Sequence, residues 1–148
     1  MYKNILVPVD GSDTSRSGLL EAIKLARDSG ATVRALHIVN NAYIAFPYSP
    51  AVYSLGDINE RLREDGKSLL NQAEQLVREH GLNVESVLLE TSTDSTGPLI
   101  VGQAKDWPAD IIVMGTHGRR GLARVVLGSE AEYVVHHTPV PVLLVRKQ

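Results

Sequence analysis

Five short apolar runs alternate with four segments of helical spacing along this chain, and few architectures accommodate that order. The first run, Ile5-Leu6-Val7-Pro8-Val9, is nearly continuous in apolar side chains, as expected of a strand covered on both faces. Asp10-Gly11-Ser12-Asp13-Thr14-Ser15 follows, rich in turn and helix-capping residues. Leu19, Leu20, Ala22, Ile23 and Ala26 then recur at helical spacing, and Ser29-Gly30 supplies a stop. A second strand is expected over 32–39. A helix over about 57–80 carries Ile58, Leu62, Leu69, Leu70, Ala73, Leu76 and Val77 on one stripe and ends at Gly81. Strands at 83–90, 110–114 and 142–145 alternate with a short helix opened by Gly97-Pro98 and another starting near Ser129. Such alternation implies an α/β fold, a parallel sheet with helices on both faces joined by right-handed crossovers.

At 148 residues the chain fits one domain, expected to occupy 1–148. Apolar residues make up 43% and charged residues 22%, enough for a real core and against intrinsic disorder. There is no cysteine, which excludes thiol catalysis, zinc–thiolate sites and disulfides. A net charge of -2 gives no basic signal for nucleic acid. The opening apolar stretch is too short for a secretory signal, and no run approaches the ~20 residues of a membrane span. A cytoplasmic protein with no nucleic-acid partner and no membrane insertion is expected.

In open parallel sheets, ligands bind beyond the carboxyl ends of the strands, where strand order reverses. That rule selects the segments after the first, second and fourth strands. After the fourth, Gly115, Gly118 and Gly121 stand at three-residue intervals, and Arg119, Arg120 and Arg124 give the stretch a local charge of +3. Gly128-Ser129 then opens a helix, whose free amides suit an anion. Phosphate binding is one reading. The other is structural: Ser129 and Glu132 match an S-x-x-E capping box, and glycines also simply make turns. Neither the Walker lysine loop nor G-x-G-x-x-G is present, which disfavours a P-loop motor and a dinucleotide dehydrogenase.

The opening KNILVPVDGSDTS, the LHIV of the second strand and IIVMGTHG…LGS…PVPVLLV together resemble the universal stress protein A family, end to end and least over 40–60. Gly115, Gly118, Gly128 and Ser129 fill the family's G-x2-G-x9-G-[ST] pattern, which marks its ATP-binding branch. The resemblance implies five parallel strands in the order 3-2-1-4-5, with ATP across the ends of strands one and four. Carried over by position, Asp10 holds the ribose with Pro8 and Val9 beside it, and Ile38 meets adenine through its backbone. Gly115 sits against the ribose; Gly118, Gly128 and Ser129 hold the phosphates, and Glu130 and Ala131 continue the amide cradle. Mg2+ bridging the phosphates is implied, held mainly by phosphate and water. Within the same loop, His117 is placed to donate to a phosphate, and the cationic Arg119 follows two residues later.

Glu130 departs from the small apolar residue common at its position in the family. It is expected to point outward, the alternatives being repulsion of phosphate and a share in holding the metal. Asp10 also has a purely structural reading, as a turn residue with Gly11 and Ser12. A response-regulator receiver is excluded, because no second acid stands beside Asp10 and the third strand ends at Glu90-Thr91. The five histidines form no zinc-like set. Residues 40–56, uncharged and bearing Tyr43, Phe46, Tyr48 and Tyr53, read equally as a lid on the adenine or as a flap on the helix that follows. The apolar segment 140–145 reads as an edge strand, and the resemblance points to a homodimer through it, with pairing into tetramers left open.

The function expected is that of a regulatory module. It binds ATP, dimerises and signals nucleotide status to a protein effector, such as a membrane transporter. No carboxylate pair, Ser/His/Asp array or lysine aimed at a γ-phosphate is apparent. The alternatives are a slow ATPase or an autophosphorylating enzyme using Ser129, Ser12 or Thr116, and a stress-protein dimer that binds no nucleotide.

Overall fold

The computed structural model describes residues 1–42, 55–117 and 127–147. Its elements are β1 (Asn4–Pro8), α1 (Asp13–Ser29), β2 (Thr32–Asn40), α2 (Leu55–Glu79), β3 (Val84–Thr91), α3 (Gly97–Asp106), β4 (Ile111–Gly115), α4 (Ser129–His137) and β5 (Val142–Val145). The strands form one sheet in the order β3-β2-β1-β4-β5, every pairing parallel. The strand order implied by the family resemblance is the order found.

The continuous apolar character of β1 has a direct cause. Successive side chains in a strand point to opposite faces, and here both faces are covered. Ile5, Val7 and Val9 enter one core cluster with Leu19, Ala22 and Ile23 of α1 and Leu70, Ala73 and Val77 of α2. Leu6 enters the other, with Ile112 and Met114 of β4, Ile100 and Ala104 of α3, and Ala131 and Val134 of α4. The result is three layers. Ile5, Leu6 and Val7 are each 0% exposed, and burial of such side chains contributes roughly 1.5–3 kcal/mol apiece.

Local chemistry sets the element ends. Ser12 caps α1, its hydroxyl accepting from the Ser15 amide at 3.2 Å. Gly30 ends that helix in the left-handed region at φ 70°, where a glycine is favoured. β4 begins at Ile111, one residue later than expected, and the Asp110 carboxylate before it accepts the amides of Lys3 at 2.7 Å and Asn4 at 2.8 Å. β3 runs one residue later than expected, and α2 begins at Leu55.

The capping box that was the structural alternative at α4 is not formed. Gly128 is the N-cap, no side chain caps the helix, and Ser129 is its first helical residue. The edge position expected for 142–145 is borne out: β5 borders only β4 and is partly exposed throughout. Arg34 of β2 pairs with Glu85 of β3 and lies 4.4 Å above the Trp107 ring. Most of the aromatic segment, residues 43–54, lies outside the described residues, and so does the lid read there.

Candidate functional site

β1 passes to β2 on one side and pairs with β4 on the other, so strand order reverses at β1. Beyond the carboxyl ends of these three strands lies a cleft with about 550 Å3 of open space, its mouth included. It is lined by Pro8 at the end of β1 with Val9 and Asp10 just beyond, by Leu36, His37 and Ile38 of β2, and by Met114 and Gly115 of β4 with His117 just beyond. Ser12 and Ser15 of the first crossover, Thr96 and Ile100 of α3, and Glu130 of α4 close it.

Asp10 is held by the turn it terminates. Its Oδ1 accepts the Ser12 amide at 2.8 Å, and its own amide donates to Ser15 Oγ at 3.1 Å. Gly11 makes the turn at φ 83°, a conformation side chains disfavour. The structural reading of Asp10 is therefore met, while the carboxylate still lines the cleft. His37 Nδ1 lies 2.7 Å from the Val9 carbonyl oxygen and ties β2 to the mouth of β1.

Gly115 is required by close approach. A Cβ there would lie 2.9 Å from the carbonyl carbon, Cβ and Oγ1 of Thr14. Thr14 Oγ1 in turn donates to the His117 carbonyl. The Gly128 amide donates to the Thr116 carbonyl at 2.8 Å, which brings the two ends of the glycine-rich connection together. His117 Nδ1 stands 3.0 Å from Thr116 Oγ1.

Of the residues picked out from the sequence, Pro8, Val9, Asp10, Ile38, Gly115, His117 and Glu130 converge on the cleft. Ser129 is exposed beside it at the start of α4. Ala131 is 1% exposed with its side chain in the core, so only its backbone faces the helix start. Gly118 and Arg119 lie outside the described residues, as do Gly121, Arg120 and Arg124. Thr96, Ser15 and His37 were missed. Thr96 precedes the Gly-Pro start of α3, and that helix start is the signal that finds it.

Glu130 corrects an expectation. It does not point outward: it lines the cleft, and its Oε2 accepts the Thr96 hydroxyl. Burial pushes its carboxyl above its ordinary value, the Thr96 hydrogen bond pulls back, and the Asp10 charge pushes further up. Among the described lining residues there are two carboxylates, Asp10 and Glu130, and no lysine or arginine.

A parallel sheet with helices on both faces, its cleft at the switch point and closed by the starts of two helices, is a doubly wound α/β domain. More particularly, the chain belongs to the universal stress protein family, whose model matches residues 1–146. It is 37% identical over 147 residues to a universal stress protein of Methanocaldococcus jannaschii, covering 99% of this chain and 84% of that protein. The structure of the universal stress protein UspA from Lactobacillus plantarum is 30% identical and superposes with a TM-score of 0.83, covering 98% of each chain. A universal stress protein from Archaeoglobus fulgidus, solved in complex with dAMP, is 26% identical with a TM-score of 0.66, covering 97% of this chain and 98% of that one.

Proposed function

We propose that this chain, as a single domain, binds an adenine nucleotide in the switch-point cleft, with ATP and Mg2+ as the cellular form. It dimerises through β5 and passes the nucleotide state to a protein effector in the cytoplasm. The observation that carries the reading is the cleft itself: it lies where strand order reverses, between the carboxyl ends of β1, β2 and β4. The dAMP complex of the Archaeoglobus fulgidus relative supports the same ligand class.

In this reading the apolar wall of Val9, Leu36 and Ile38 takes the base, and Asp10 takes the ribose hydroxyls. The α4 start, uncapped by any side chain, offers the amides of Ser129, Glu130 and Ala131 to phosphate. Among the described residues no group of three or more His, Asp or Glu is arranged to hold a metal. Asp10 and Glu130 are engaged with Ser12 and Thr96. That donor set fits a cation carried by phosphate and water, as Mg2+ prefers. Bound there, Mg2+ supplies neutralisation of phosphate charge. The partly exposed edge of β5 is the surface on which a second copy pairs.

Thermal unfolding with and without Mg-ATP tests the reading. Ligand at 100 times its Kd adds about 2.7 kcal/mol, or roughly 5–10 °C for a domain of this size. Ser129→Pro is the informative variant. Proline suits the first helical position, and Gly128 before it is already extended at ψ 154°, so the fold is kept while one amide and one hydroxyl are lost. Hydrogen bonds to charged groups are worth ~1.5–3 kcal/mol, so ATP affinity should fall about 10- to 100-fold with the ligand-free midpoint unchanged. No shift with ATP, ADP or AMP in the parent refutes nucleotide binding. A monomer by light scattering at tens of micromolar refutes the dimer.

A further inference from the structure

We infer that Glu130 is a specificity-determining residue of the cleft, a built-in anion at the phosphate end that weakens binding in proportion to the negative charge a ligand brings. This rests on the nucleotide reading above and concerns which nucleotides the site prefers. Three observations carry it.

First, Glu130 lies in the first turn of α4 and lines the cleft, so its carboxylate shares the space that the α4 amides address. Second, Thr96 stands at the start of α3 but makes no side-chain cap there. Its hydroxyl donates instead to Glu130 Oε2, which holds the carboxylate where the starts of both helices meet. Helix starts carry partial positive charge and favour an anion, and the chain has placed one of its own there. Third, the only other carboxylate among the described lining residues is Asp10, and those residues include no lysine or arginine.

A phosphate entering this end therefore meets like charge in a partly dehydrated setting, where charges interact more strongly than in water. Adenosine, which carries no phosphate, avoids that repulsion. AMP meets some of it, and metal-free ATP the most. Mg2+ on the ligand offsets it by lowering the ligand charge.

Calorimetric titration of the parent, Glu130→Gln and Glu130→Asp with adenosine, AMP and metal-free ATP tests this. Because burial raises the Glu130 carboxyl above its ordinary value, the titrations are run at pH 8 and repeated at pH 9, where the carboxylate form is favoured further. Glu130→Gln removes the charge and keeps the shape, while Glu130→Asp keeps the charge. The gain in affinity of Glu130→Gln over the parent should be near one-fold for adenosine, several-fold for AMP and above ten-fold for metal-free ATP. Glu130→Asp should stay within a few-fold of the parent for all three, and added salt should shrink the ATP gain. An equal gain for all three ligands, weaker ATP binding by Glu130→Gln, or Glu130→Asp behaving as Glu130→Gln would each overturn the inference while leaving nucleotide binding standing. Failure of both parent and Glu130→Gln to bind any of the three ligands overturns nucleotide binding as well.

Discussion

Gly115→Ala separates what the glycine pattern does for the fold from what it does for a ligand. Gly115 is not among the glycines with positive φ, so an alanine backbone is tolerated there. The obstacle is space: the new Cβ would lie 2.9 Å from the Thr14 carbonyl carbon, which belongs to the backbone of α1 and cannot rotate aside. Either the first turn of α1 or the last residue of β4 must shift. The first is held by Ser12, and the second by the Thr116 amide donating to the Val145 carbonyl at 3.0 Å. Overpacking of this kind costs about 1–3 kcal/mol, or roughly 2–12 °C in midpoint. Gly102→Ala in α3 is the paired control, since a Cβ there meets nothing within 4 Å. It should stabilise by about 0.4–1 kcal/mol. Urea unfolding of the two variants without ligand measures both. If Gly115→Ala is as stable as the parent, the close-approach argument is wrong; if it then also fails to bind ATP, Gly115 is reserved for the ligand.

Ile100→Ala, at a side chain 0% exposed between α3 and the sheet, should cost about 2–5 kcal/mol in urea unfolding. Ser12→Ala removes the α1 cap and should cost about 1 kcal/mol. The Asp110 carboxyl is held below its ordinary value by the Lys3 and Asn4 amides. It stabilises the fold above the unfolded-state pKa, and the gain is lost as pH falls through its lowered folded value. The midpoint advantage of the parent over Asp110→Asn should accordingly vanish on acidification. Glu130 has the opposite sign: burial raises its carboxyl, so the parent loses stability as pH rises from the unfolded-state pKa through the folded one. Glu130→Gln should lack that loss, and a pH series of midpoints shows which holds.

The sheet was legible wherever a strand is buried on both faces. Ile5-Leu6-Val7 and Ile111-Ile112-Val113 announce themselves because no position in them faces water. Which strand neighbours which is a different matter. The β1–β4 pairing joins residues about a hundred positions apart, and nothing local in either strand encodes it; the order came from the family resemblance. Element ends were legible to within one or two residues, because single backbone bonds decide them: β3 and β4 each start one residue later than expected, and α2 two residues earlier. Ser129 and Glu132 have capping-box spacing, yet Gly128 takes the cap. The cleft was legible through the ends of β1, β2 and β4, which local turn chemistry marks. Thr96 and the inward Glu130 were not, because each owes its place to the other across 34 positions.

The placement of β1 also sets the order in which the protein can be completed. The first strand made is the middle strand of the sheet, and Asn4 waits for Asp110, 106 positions later, before its second side is latched. The pairings of β1 with β2 and of β2 with β3 need only the first 91 residues, and can form while synthesis continues. Until β4 arrives, β1 presents an unpaired edge and Leu6 lacks Ile112 against it, the kind of surface that draws nascent chains into aggregates. The cleft closes later still, because Glu130 belongs to the last helix. A ligand that needs every wall can therefore hold the finished sheet together, but it cannot help to build it.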